Sequence, residues 1–265
     1  MAILGGKVGY NILRAYAGNG VKVGLATATA YENKSKLQTL MGKDFLSDIK
    51  GKVVIDFGCG TGLEAIEMAE NNALKVIGVD IQERYLEIGR ARAVEKKLTD
   101  RCHFTVSPEQ PADIIVALDS FEHFDDPAQI LRTMHEMLKP GGRVLASFGP
   151  TWYHPYGGHL FSVFPWAHLI FSEKVLIKWR SGFKTDGATR FEEVEGGLNQ
   201  MTIRRFERLI VDSPFEIEEL ACVPIRSIRR FANPLTREFT TSIVRCKLRA
   251  KQTTVARMFS SPIDE

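Results

Sequence analysis

Residues 52–62, KVVIDFGCGTG, decide the fold. The run at 52–57 is short, apolar and rich in β-branched side chains, the texture of a strand covered on both faces. It breaks into the spacing Gly58-x-Gly60-x-Gly62. A glycine turn between a buried strand and a helix aims backbone N–H groups and the positive helix end at a ligand. Asp56 stands just ahead of that turn, where its carboxylate suits a ligand bearing an ammonium and would repel a pyrophosphate. Position 63 is Leu, so the dinucleotide fingerprint is not met and a nicotinamide dehydrogenase is the weakest reading.

Outward from this turn the texture alternates. A helix is predicted over 63–71, a buried strand over 75–80 (KVIGVD), and a helix over 83–97. Strands follow at 102–106 and 112–118 (ADIIVAL), then a helix at 127–138. A turn, Lys139-Pro-Gly-Gly142, leads into a strand at 143–148. Strands separated by helices predict βαβ units around a parallel sheet, with ligands at the carboxyl ends of the strands. Asp56, Asp80 and Asp119 all fall at such ends. An acceptor at Asp80 can take both hydroxyls of a ribose. A helix at 202–213 and strands at 215–223 and 238–248 complete the pattern.

The bulk properties narrow the classes. With 265 residues and a net charge of only +3, the chain suits one large α/β domain and lacks the dense basic stripe of a polyanion binder. Cys59, Cys102, Cys222 and Cys246 are scattered, without metal-ligand or disulfide-framework spacing. The first residues do not read as a signal peptide, and no membrane span is expected. The expected compartment is the cytoplasm.

VVIDFGCGTG, VIGVD, ALDSFEHFDDP and LKPGGRVLASF, in that order, resemble the class I S-adenosylmethionine-dependent methyltransferases, closest to the ubiquinone-biosynthesis and small-molecule branch. The resemblance covers residues 50–150 well and 202–248 loosely. It implies a Rossmann-like seven-stranded, mostly parallel sheet with the last strand antiparallel and helices on both faces. It implies S-adenosyl-L-methionine as cofactor. Asp56, Gly58 and Gly60 would face its methionine part, with Gly62 completing the loop. Asp80 would hold the ribose, Ile81 would pack on adenine, and Leu118 and Asp119 would line the floor near the sulfonium. The family often has an acidic residue after the third strand; here that place reads Val106-Ser-Pro-Glu-Gln-Pro111.

Asp119-Ser-Phe-Glu122-His123 has the look of a divalent-metal cluster, but a plainer assignment is preferred and no metal is expected. In it Glu122 caps the next helix and His123 positions the loop or touches substrate, with a role as general base as a further hypothesis. Residues 150–200 form an aromatic-rich lid insertion (Trp152, Tyr153, Tyr156, Phe161, Phe164, Trp166, Phe171, Trp179) with Gly157-Gly158 as a hinge-like break. Aromatic walls suit an apolar or aromatic small molecule, with His154 or His159 as alternative bases; His168 reads as a core histidine. The Phe161–Phe171 stretch beside Lys174, Lys178 and Arg180 could also rest on a membrane.

The expected organisation is a helical extension at 1–50, a cofactor-binding core at 51–149, the lid, the rest of the same domain at 201–251, and a flexible tail at 252–265. The expected activity is methyl transfer to an oxygen or carbon of a small acceptor. The alternatives are an RNA-modifying methyltransferase, for which Arg204, Arg205, Arg208, Arg226, Arg229 and Arg230 would contact phosphate, and a non-catalytic cofactor-binding module.

Overall fold

A computed structural model of the protein describes residues 3–18, 35–42, 45–194 and 196–251. The polar break before Lys36 and the tail after Lys251 fall largely or wholly outside these residues. Seven strands form one sheet in the order β3-β2-β1-β4-β5-β7-β6. They are β1 Val53–Phe57, β2 Lys75–Val79, β3 Cys102–Thr105, β4 Ala112–Leu118, β5 Leu138–Phe148, β6 Phe215–Pro224 and β7 Thr241–Ala250. β1 to β5 pair in parallel, and β7 runs antiparallel to both of its neighbours.

The period of two along each strand divides the interior into two cores. On β1, Val53 and Ile55 join one cluster, with Ile115, Ala117, Val144 and Ala146. Helices α6 (Pro127–Glu136) and α9 (Ile203–Val211) cover it with Leu131, Met134, Phe206 and Ile210. Val54 joins the opposite cluster with Val116 and Leu145. There α2 (Lys36–Met41), α3 (Phe45–Asp48), α4 (Leu63–Glu70) and α5 (Glu83–Glu95) supply Leu37, Leu40, Phe45, Met68 and Leu86. Both faces of the sheet are therefore helix-covered.

One ring locks β2, β3 and the glycine turn together. Phe104 on β3 lies against Gly62, Gly78 and Gly89, where a Cβ would stand 2.3, 2.6 and 2.6 Å from ring atoms. Gly62 is thus needed by the packing of Phe104 as well as by its left-handed φ of 77°.

A third cluster gathers the insertion. Phe161, Phe171, Trp179, Phe191 and Leu198 are buried together with Leu13 of α1 (Gly6–Ala17). α8 (Glu173–Arg180) packs on α1, and a parallel bridge joins Leu4 to Phe171. A short α7 (Ala167–Ile170) precedes α8. The amino-terminal helix and the insertion therefore share one core.

Two sequence expectations are corrected. The last strand begins at Thr241 rather than at 238, because Glu238 is drawn onto the start of α9, accepting from the amides of Ile203 (3.1 Å) and Arg204 (2.9 Å). Residues Arg237–Thr240 form a helical turn, α10, instead. The Lys139–Gly142 turn does not precede β5 but bulges out of it: Ala112 pairs with Leu138 and Ile114 with Arg143. Lys139 then reaches back to Asp113 at 3.0 Å.

The Phe104 cradle is testable by urea denaturation. Phe104→Ala should cost about 3–5 kcal/mol of stability, and Gly78→Ala should also lower the midpoint by forcing the ring aside. An unchanged midpoint in either variant would contradict the cradle.

Candidate active site

The strand order reverses between β1 and β4, and the crevice outside their carboxyl ends is where α/β sheets bind ligands. The β1 exit is bonded across to β2: the amides of Gly58 and Cys59 both donate to the carbonyl of Val79, at 2.8 and 3.0 Å. A Cβ on Gly60 would meet nothing within 4 Å, and one on Gly58 only Ser120 at 3.9 Å, so both backbones face open space. Asp80 accepts from the amide of Gly60 (3.0 Å) with Oδ2 and from that of Gln82 (2.8 Å) with Oδ1. Each oxygen keeps a lone pair for a further donor. The helix cap of α5 is Gln82, so Asp80 does not serve as one. Ile81 beside it is 92% exposed.

Asp56 shares its face of β1 with Val54 and is 3% exposed. Burial and the nearby Glu64 carboxylate push its pKa up to about 8, against the opposing pull of Lys36. Lys36 opens α2 and pairs with Asp119 at 3.2 Å. Burial works against its charge, yet Asp119, Glu64 and Asp56 together raise its pKa above the ordinary value. The sequence reading missed Lys36; a lone lysine at a helix start carries no motif, and only the fold brings it to these acids.

The loop after β4 is tied to the insertion. Glu122 Oε1 accepts from the amide of Gly149 at 3.0 Å, and burial followed by the Asp119 charge pushes its pKa up to about 8. Glu122 does not cap the next helix; Asp126 does, accepting from Gln129 at 2.9 Å. His123 Nδ1 bonds the carbonyl of Gly197 at 2.9 Å. A carbonyl only accepts, so Nδ1 carries the hydrogen and Nε2 keeps its lone pair. Asn199 donates to the carbonyls of Phe121 and Phe124 at 2.6 and 2.8 Å.

The insertion brings His159 to His123, ring centroids 5.2 Å apart. Glu122, His123 and His159 each offer one ligand atom, all within 4.8 Å of one another. Asp119 is outside this group, turned to Lys36. Burial, with His123 nearby, lowers the pKa of His159 to about 4. A cavity of about 130 Å³ beside the two histidines is also lined by Phe161, Arg180, Lys184 and Gly197. His154 stands apart from this pair, its Nδ1 accepting from the amide of Tyr156 at 3.0 Å. Burial lowers its pKa to about 4 as well. His168 is a satisfied core histidine, placed between Ser162 Oγ (2.9 Å) and the carbonyl of Trp152 (2.6 Å).

Several buried atoms at this edge have no hydrogen-bond partner among the described residues: Asp56 Oδ2, Ser120 Oγ, Glu122 Oε2 and His159 Nε2. Buried polar atoms are costly to leave unpaired, and Glu122 and His159, brought into one cluster, mark a place suited to a polar ligand.

One expectation for the insertion is corrected. Gly157-Gly158 is not a hinge: a Cβ on Gly157 would stand 2.1 Å from the carbonyl oxygen of Thr151, and one on Gly158 2.3 Å from His168. In the Phe161–Phe171 stretch Phe161 and Phe171 are buried, as is Arg180, while Trp166, Lys174 and Lys178 are exposed. Arg180 is bound to Asp186 at 2.5 Å.

Ubiquinone biosynthesis O-methyltransferase of Idiomarina loihiensis is 39% identical over 103 residues, covering 37% of this chain and 42% of that protein. The protein of the same description from Neisseria meningitidis is 34% identical over 108 residues, covering 38% and 45%. The match thus spans less than half the length of these relatives. Among solved structures, an S-adenosylmethionine-dependent methyltransferase from Mesorhizobium loti aligns with TM-score 0.50 at 17% identity, over 77% of this chain and 95% of that one. The cyclase SpnF aligns with TM-score 0.52 at 17% identity, over 78% and 80%. The fold is therefore that of such enzymes, and it hosts more than one chemistry. The family model described as a methyltransferase domain matches residues 26–209, and the chain belongs to that family.

Proposed function

We propose that the protein transfers a methyl group from S-adenosyl-L-methionine to an oxygen of a small acceptor, acting in the cytoplasm. The observation that carries this reading is the meeting, at one sheet edge, of the open Gly58–Gly60 backbone, Asp80 and the unpartnered buried oxygen of Asp56. Relatives described as O-methyltransferases support oxygen as the acceptor atom. The described cysteines are all free thiols, in keeping with a reducing compartment.

The cofactor supplies an electrophilic methyl group on a sulfonium. Asp80 holds the ribose hydroxyls, and the exposed Ile81 offers a flat apolar contact to adenine. Asp56 faces the α-ammonium and Lys36 the carboxylate of the methionine part. Gly58, Gly60 and the Leu118–Asp119 floor set the line of approach. In-line displacement demands alignment and exclusion of water, which the insertion provides from above. The acceptor hydroxyl gives its one proton to the bare Nε2 of His123, with the ring of His159 against it; His154 is left to brace its own turn.

A second reading is favoured by the ligand atoms of Glu122, His123 and His159 lying within 4.8 Å. A divalent cation held there would acidify the acceptor hydroxyl. For RNA as the acceptor, Arg205 is engaged with the carbonyl of Asn199, whereas Arg226, Arg229 and Arg230 are exposed.

Calorimetry with S-adenosylhomocysteine should give clear affinity, weakened about 10- to 100-fold in Asp80→Ala by loss of charge-assisted bonds. Undiminished affinity in the variant would remove Asp80 from the site. Asp56 provides a test in protons. With a pKa of about 8 it is largely protonated at pH 7, and an arriving ammonium favours the carboxylate. Binding at pH 7 should release a proton, seen as a heat that varies with the buffer's ionisation enthalpy. Asp56→Asn should lose that dependence; an unchanged slope would place the titration elsewhere.

His123→Ala should lower kcat by about 10²–10⁴-fold while S-adenosylhomocysteine affinity holds. If chelation by EDTA abolishes turnover and a divalent ion restores it, the metal reading stands; turnover indifferent to EDTA leaves the His123 imidazole as base.

A further inference from the structure

β6 runs in the same direction as β1 to β5, so its exit at Pro224 lies on the sheet edge that carries Asp56 and Asp80. The crossover into β7, residues 225–240, stands beside the insertion. Phe239 lies 5.2 Å from the ring of Tyr153, and Thr151 Oγ1 donates to the carbonyl of Glu238 at 3.4 Å.

This crossover concentrates one sign of charge. Residues 225–237, IRSIRRFANPLTR, hold Arg226, Arg229, Arg230 and Arg237 and no carboxylate. Arg237 is taken by Glu207 at 2.5 Å. Arg226, Arg229 and Arg230 are exposed and form no ion pair with any carboxylate among the described residues.

The same segment holds apolar side chains out in water. Leu235 is 94% exposed, Phe231 53% and Phe239 45%. They are presented by an ordered tip. Asn233 Oδ1 accepts from the amides of Leu235 (2.9 Å) and Thr236 (3.2 Å), and Thr236 Oγ1 donates to the carbonyl of Phe231 at 2.5 Å. Arg230 lies 4.8 Å from the centre of the Phe231 ring. The apolar tip is thus fixed outward, with guanidinium groups at its base.

We propose that this crossover docks on an anionic lipid bilayer, Phe231 and Leu235 entering the interfacial layer and Arg226, Arg229 and Arg230 meeting headgroup phosphates. Apolar residues bordered by arginine, with no opposing acid, match that surface in both polarity and charge. A second copy of the chain would bring the same positive patch and be repelled. RNA would satisfy the arginines and could stack a base on Phe231, but it would leave Leu235, the most exposed apolar side chain of the segment, in water. The inference rests on the proposed methyl transfer for its purpose and narrows it, since an active-site edge held at a bilayer serves a lipophilic acceptor.

The test is co-sedimentation of the full chain with phosphatidylcholine vesicles, with and without about one third phosphatidylglycerol. The protein should pellet with the anionic vesicles, and less so as salt rises. Phe231→Ser with Leu235→Ser should cut partitioning about tenfold or more, and Arg229→Glu with Arg230→Glu should remove the preference for the anionic lipid. Both variants should keep the parent's melting temperature and S-adenosylhomocysteine affinity. Failure of the parent to pellet, or an unaltered double-serine variant, overturns the docking. An RNA mobility shift without vesicle binding overturns it in favour of nucleic acid. Cofactor affinity is measured apart from vesicles, so its absence would count against the methyltransferase reading and not against the docking.

Discussion

The burial of a carboxyl group inside the central sheet is the constraint around which the molecule is arranged. Asp56 occupies a face of β1 that the period of two assigns to the interior, beside Val54. Sliding the strand by one residue would not free it, because the opposite face of the sheet is covered by a core of its own. The acid therefore stays, and its surroundings answer it. α2 packs over the same face, with Leu37 and Leu40 in the core and Lys36 at its lip. The helix is itself pinned to the far side of the sheet, Arg245 of β7 donating to the carbonyl of Thr39 at 2.7 Å.

The second half of the site is set from the opposite direction. The loop after β4 meets the start of the insertion through Glu122 and Gly149, and its end through His123, Gly197 and Asn199. The imidazole tautomer that leaves Nε2 bare is thus fixed by a carbonyl from a remote stretch of chain. Groups held in this way lose little freedom on meeting a substrate, which is how a scaffold contributes to rate.

The parallel core was legible because its signals are local. KVVIDF, KVIGVD and ADIIVAL each declare a strand covered on both faces, and the glycine spacing marks the turn. The features that escaped depend on partners distant in sequence. Nothing near Glu238 announces that it will hold the amides of α9 and so delay β7. The Lys139-Pro-Gly-Gly142 stretch reads as a stop, yet Leu138 still finds Ala112 across the bulge. The aromatics of 150–200 have the composition of a pocket wall, but most of the large ones fill a core of their own with Leu13. The placement of His159 beside His123, and of Lys36 beside Asp119, is likewise tertiary and has no one-dimensional signature.

The bridge between Leu4 and Phe171 bears on how the chain assembles. Its two halves flank β1 to β5 in sequence, so they meet only by closing a very long loop. Contacts of that span form late, after the sheet between them has brought its ends together. The insertion and the first helix should then be the last unit to consolidate and the first to open. Access to the histidine pair would be governed by the least durable part of the protein, while the glycine turn below it belongs to the most durable.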